Sequence, residues 1–286
     1  MIFDKRLTPA RPDLAAAHLE GQVPAARFVA GRSMRVRDAL ADLRREPQPD
    51  GALDTQALHG EQVAVYEEHE GFAWVQLARD GYVGYLAAAA LAPAGETPTH
   101  RVAVPWTPVY PAASIKLPRV GALPMGALAR VIPEDGSFAR LADGGFLWRE
   151  HLTPANRFET DFVAVAERFL HAPYLWGGKS WTGVDCSGLV QIALAAAGVE
   201  APRDADMQEQ ALGEPLACDA SASGLRRGDL VFWKGHVGMM CDAATLLHAN
   251  GHHMQVACEP LAAARRRILL AGAGDITSVR RLAPTA

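Results

Sequence analysis

The chain has 286 residues, 49% of them apolar, a formal charge of -4 and a pI near 6.2. That is enough apolar material for one large domain or about two to three small ones, and it excludes a disordered chain. The acidic balance excludes the basic surface that nucleic acid requires, and no apolar run is long enough to span a bilayer. In chain order, residues 14–21 read as a short helix ending at Gly21, behind Pro9 and Pro12. From 28 to 91 the texture changes to short strands, at 62–66, 73–77 and 82–86, separated by the turn signals Glu70-Gly71 and Asp80-Gly81. Residues 92–99, with Pro93, Gly95 and Pro98, read as a linker. A second strand-rich segment follows, with strands at 101–104, 128–132, 137–141 and 145–148. It echoes the first: Gly60-Glu61-Gln62-Val63 against Gly126-Ala127-Leu128-Ala129, and Glu70-Gly71 against Asp135-Gly136.

Beyond Asn156 the pattern is α+β. A helix is expected over 162–170, then a glycine-rich loop, then an apolar helix opening at Cys186. Strands follow at 229–233, 236–240 and 245–248, a short helix at 259–267 and a closing strand at 276–282. The expected organisation is an N-terminal helical extension (1–27), a first small barrel (28–92), a linker (93–100), a second barrel (101–153) and an α+β domain (154–286).

Asp185-Cys186-Ser187-Gly188 carries the chemistry. A cysteine in the first turn of a helix lies beside unpaired N–H groups and the positive end of the helix dipole, which favours the nucleophilic thiolate. Asp185 is a natural N-cap, and Ser187 serves the helix start. The Asp185 charge also raises a neighbouring thiol's pKa, so other donors must occupy it or the dipole and an imidazole must outweigh it. His236, between Gly235 and Gly238, is the expected general base, with the glycines leaving room for close approach to the cysteine helix. His248 is the expected orienting residue, fixing the tautomer and rotamer of His236. Cys218, Cys241 and Cys258 fit the ordinary role of buried structural cysteines. His252 and His253 lie close to His248, but Asn250-Gly251 suggests a hairpin rather than a helical ligand pair, so no metal and no cofactor is expected. Gly177-Gly178-Lys179-Ser180 is no P-loop, because Pro173 stands where that motif needs glycine.

Pro173-Tyr174-Leu175-Trp176-Gly177-Gly178, Asp185-Cys186-Ser187-Gly188, Pro202-Arg203-Asp204, Arg226-Arg227-Gly228-Asp229-Leu230 and Gly235-His236-Val237-Gly238 together resemble the NlpC/P60 family of cysteine peptidases over about residues 162–282. Asp54-Thr55-Gln56 and Gly81-Tyr82-Val83-Gly84-Tyr85 resemble the bacterial SH3-type domains fused to one branch of that family. The resemblance implies a papain-like α+β catalytic domain behind two SH3-like β-barrels. It implies a γ-D-glutamyl-L-diamino acid endopeptidase acting on murein peptides. It also implies that the Tyr174 hydroxyl helps hold the tetrahedral oxyanion, that Trp176 shapes the pocket wall, and that Asp54, Tyr82 and Asp204 receive the substrate's free ammonium. An ammonium pocket favours freed peptides over polymeric wall. With no apolar leader-like segment in the first dozen residues and few cysteines, a cytoplasmic enzyme of peptide recycling is expected. The partner is a small murein peptide, with neither nucleic acid nor membrane. The sequence is silent on oligomeric state, and a monomer is taken as the expectation. Two other readings stay open: an amidase or acyltransferase on another amide, and a wall-binding protein with an inert peptidase domain.

Overall fold

The computed structural model describes residues 3–216 and 224–283, so Cys218 lies outside the described residues. The chain divides into two compact units, Met1–Asn156 and Arg157–Ala286. No helix among the described residues is long and apolar enough to cross a membrane.

The regular structure described in the first unit is strand, apart from three single 3-10 turns. Its main sheet has seven strands in the order Leu53–Leu58, Leu40–Arg44, Val83–Ala87, Phe72–Leu77, Gln62–His69, Arg32–Val36, Leu91–Pro93. All its pairings are antiparallel, and the registers shift at Val65/Glu67 and Leu43/Arg44. Such bulges bend a sheet on itself. Alternation drives the burial: Val63 and Val65 face inward while Gln62 faces solvent. With Val36, Leu43, Val75 and Leu86 they form one core, each buried side chain contributing roughly 1.5–3 kcal/mol. Residues 14–21 are a correction. They form a two-residue strand, Ala15–Ala16, paired parallel with Phe28–Val29, then a single 3-10 turn, Ala17–Leu19. So short a segment cannot repay helix nucleation, and pairing of the alanine backbone prevails.

The second strand-rich segment holds the hairpin of Trp106–Val109 with Gly121–Pro124 and two three-stranded sheets centred on His100–Val102 and Phe138–Leu141. Val102, Ala139 and Leu147 anchor its core. The echoing stretches meet here: the Leu128 N–H donates to the His59 carbonyl at 2.8 Å.

The second unit sets helices against a six-stranded antiparallel sheet. Its order is Glu214–Pro215, Ser278–Arg281, Leu230–Trp233, His236–Met240, Thr245–Asn250, Gln255–Pro260. Leu230–Trp233 is buried at every position, as a central strand covered on both faces must be. Helix Cys186–Ala196 is buried nearly all round and packs on His236–Met240 and Thr245–Asn250. The helix expected at 259–267 starts later, as Leu261–Leu270, because Glu259 and Pro260 complete the edge strand.

Candidate active site

Asp185 caps the cysteine helix as expected, accepting the Gly188 N–H at 2.7 Å. Its carboxylate also takes the Gly177 N–H at 2.8 Å and the guanidinium of Arg203, Nη1 to Oδ1 at 3.0 Å and Nη2 to Oδ2 at 2.6 Å. Arg203 donates besides to Ser187 Oγ at 2.9 Å and is 1% exposed. Donors therefore occupy the Asp185 charge, and Arg203 supplies the strongest of them. The fit depends on glycine: a Cβ at Gly188 would lie 2.4 Å from the Gly178 carbonyl and 2.9 Å from Asp185 Oδ1.

Cys186 is buried at the first helical position. Backbone N–H groups of Val237 and Ser187 aim at its sulfur and, with Arg203, favour the thiolate. Burial, and then Asp185, outweigh them and push the thiol up to about 12. The helix start favours the thiolate, but desolvation of the buried anion is the largest influence on this thiol and opposes it.

His236 opens its strand directly after the hairpin at Lys234-Gly235, where Gly235 has φ +72°. Its Nε2 lies 2.8 Å from His248 Nδ1. Burial, then the neighbouring His248 and Arg267, lower His236 to about 3, against a weaker opposing pull from Glu259. Thiol and imidazole are thus both neutral in the free protein. Gly238 differs from expectation: a Cβ there would lie 2.8 Å from Leu246 Cδ1 and 3.1 Å from His248 Cβ, so its space serves the neighbouring strand rather than the cysteine helix.

His248 is buried, and its Nε2 lies 2.8 Å from Glu259 Oε1, which Arg267 also holds. The sequence placed Glu259 and Arg267 in an expected helix and gave neither a role in the site. The signal was present: the hairpin pairs His248 with Ala257 and Leu246 with Glu259, which sets Glu259 diagonal to His248 on one face. His248, His253 and Glu259 bring ligand-type atoms within 4.8 Å of one another. The Glu259 oxygen facing His248 already takes Arg267, and a guanidinium there opposes a metal cation.

Tyr174 is half-buried, with its phenol pushed up to about 12 by burial, then by Cys186 and Asp185. It stays protonated and so remains a donor near the sulfur. Trp176 is 67% exposed. Asp204 precedes helix Ala205–Ala211 without capping it through its side chain, and its charge acts on Arg203. In the first unit, Asp54 pairs with Arg45, Nη2 to Oδ1 at 2.6 Å, and Tyr82 is buried in the core of the main sheet. Cys241 and Cys258 are not buried as expected. They are half-buried and exposed, with sulfurs 3.8 Å apart, Cys258 on the edge strand and Cys241 just past the end of His236–Met240.

Residues 171–267 match the NlpC/P60 family, and residues 43–91 match the bacterial dipeptidyl-peptidase SH3 domain. The chain carries an NlpC/P60 domain. Dipeptidyl-peptidase 6 of Lysinibacillus sphaericus is 36% identical over 101 residues, 35% of this chain and 36% of that protein. The γ-D-glutamyl-L-lysine dipeptidyl-peptidase of Bacillus cereus is 31% identical over 147 residues, 49% of this chain and 40% of its own length. The chain thus spans less than half the length of these relatives. A crystallised NlpC/P60 family protein from Bacillus cereus superposes with a TM-score of 0.73, covering 88% of this chain and 100% of that one at 21% identity. At that identity the likeness is one of fold.

Proposed function

We propose that the protein is a cysteine endopeptidase that hydrolyses the γ-D-glutamyl–diamino acid bond of free murein peptides bearing an unblocked N-terminal L-Ala. The carrying observation is a cysteine at a helix start with two backbone donors aimed at its sulfur, in a unit that also holds the hydrogen-bonded pair His236–His248. The names of the relatives, dipeptidyl-peptidases in Lysinibacillus and γ-D-glutamyl-L-lysine dipeptidyl-peptidases in Bacillus, support the substrate class.

In this reading Cys186 Sγ attacks the γ-carbonyl carbon as its proton passes to His236 Nδ1, the ring nitrogen that His248 leaves free. The neutral resting pair makes this transfer part of the attack rather than a step that precedes it. The oxyanion is held by the Tyr174 hydroxyl and the Cys186 N–H. The tetrahedral intermediate collapses, the C–N bond breaks, and His236 returns its proton to the leaving amine. Water then hydrolyses the thioester. Asp54, Tyr82 and Asp204 are assigned to the substrate's ammonium. Arg45 already occupies Asp54, so the ammonium takes over a carboxylate that an exposed arginine holds in its absence. We further read residues 101–153 as a second SH3-like barrel, the catalytic fold as papain-like, and the enzyme as a cytoplasmic monomer serving peptide recycling.

The test is cleavage of L-Ala-γ-D-Glu-L-Lys and its diaminopimelate analogue, followed by liquid chromatography and mass spectrometry. Release of the diamino acid by the unaltered protein, its loss in Cys186→Ala and poor cleavage of the N-acetylated peptide are expected. Turnover by Cys186→Ala, or cleavage of neither free peptide, overturns the proposal.

A further inference from the structure

We propose that Glu259 is a positioning residue that fixes the ring tautomers of both His248 and His236, and so decides whether His236 can act as a base. The inference deepens the thiol-peptidase reading and rests on it.

A carboxylate without a proton can only accept hydrogen bonds, whereas a neutral imidazole carries one N–H and one lone pair. Burial alone raises the Glu259 carboxyl, but its hydrogen bond to His248 and the charges of His248 and Arg267 prevail and hold it below the usual range. It is therefore an acceptor. His248 Nε2, 2.8 Å from Glu259 Oε1, must be the N–H of that ring. His248 Nδ1 then carries the lone pair, and it lies 2.8 Å from His236 Nε2. His236 must donate from Nε2, which leaves the lone pair on Nδ1, the nitrogen that has to take the thiol proton. With the opposite tautomer His236 would present an N–H to Cys186 and could accept nothing. A carboxylate two hydrogen bonds away thus orients the chain of donors.

Groups facing Glu259 come from three elements. His248 lies on the paired strand Thr245–Asn250, Arg267 on helix Leu261–Leu270, and His253 in the connecting turn, its Nδ1 4.0 Å from the same oxygen. Asn250 Oδ1 lies 3.0 Å from His253 Nδ1 and holds that ring aside. Arg267 fixes the carboxylate through the same oxygen that faces His248. A role confined to tying the edge strand to the helix would need Arg267 alone, and would leave the histidine tautomers indifferent to residue 259.

The experiment is NMR of the histidine ring nitrogens in the full chain, read beside kcat and KM on the free tripeptide. In the unaltered protein both His236 and His248 should be Nε2–H tautomers. In Glu259→Gln, whose amide can donate as well as accept, the His248 signals should shift toward the other tautomer. Its kcat should fall about tenfold or more with KM little changed, since a wrong tautomer disables the base. Glu259→Asp, which keeps an obligate acceptor, should recover part of that loss. Finding His248 as the Nδ1–H tautomer in the unaltered protein overturns the proposal without any variant. So does a folded Glu259→Gln with unmoved ring signals and kcat within about twofold. The ring signals need no substrate, so a failure to cleave murein peptides would count against the proposed function and leave this inference to be decided by NMR.

Discussion

Each unit presents an aspartate held by an arginine, and the two pairs are unlike. Asp185 and Arg203 are 10% and 1% exposed and share the cap of the cysteine helix, whereas Arg45 opposite Asp54 is 66% exposed. Charge and distance are nearly the same, 2.6 Å in both. Burial of the arginine makes the difference, because the carboxylates are alike, Asp54 11% and Asp185 10% exposed. In a dry setting neither partner has water to fall back on, so the pair is obligatory. At the surface a guanidinium can leave its carboxylate and be hydrated, so the pair is exchangeable. The first suits a support of the cysteine helix, and the second suits the cation-accepting carboxylate of the proposed function.

Three measurements break or sharpen this contrast. The largest effect is expected for Arg203→Ala, which strands the Asp185 charge beneath Cys186. Urea unfolding should show a loss of about 3–5 kcal/mol, and a loss below about 1 kcal/mol would put both pairs in one class. Next is the reactivity of Cys186. With the thiol near 12 and His236 near 3, neither group changes charge around neutrality, and the small thiolate fraction grows as pH rises. Alkylation of Cys186 by iodoacetamide in the free protein should accelerate about tenfold per pH unit between roughly pH 6 and 9. A fast, pH-independent rate would reveal a preformed thiolate–imidazolium pair. The smallest effect is expected for Arg45→Ala, which should change stability by less than about 1 kcal/mol. On the proposed function it should also lower KM for peptides with a free amine, by removing a competitor for Asp54. An unchanged KM would mean that Asp54 does not receive the ammonium.

The parts of the site legible in the sequence were those marked by local signals. Cys186 stood at a helix start behind an N-cap residue, and His236 and His248 each sat at the edge of an apolar run. The role of Arg203 had no local signal, because its long side chain reaches the buried carboxylate of Asp185, 18 positions away in sequence. Glu259 was absorbed into the alanine-rich helix that follows it, because Pro260 can open a helix as readily as close a strand. Its place beside His248 emerges only once the hairpin register is fixed. The strands Arg32–Val36 and Leu40–Arg44 also went unassigned. They do alternate, but the arginines on their outer positions weaken the apolar signal. The buried setting that raises Cys186 has no local signature at all, since desolvation belongs to everything packed around the helix.

The hydrogen bond from Leu128 to His59 bears on how the molecule can be dissected. Around it a Cβ at Gly60 would collide with the Leu128 carbonyl at 2.2 Å, and Arg35 grips Asp143 through two bonds of 2.7 and 2.9 Å. The proline- and glycine-containing stretch at 93–100 looks like a natural cut-point for expressing either half alone. Cutting there would strip a tight backbone seam from both fragments. Unfolding of the first 156 residues should accordingly be one cooperative event rather than two.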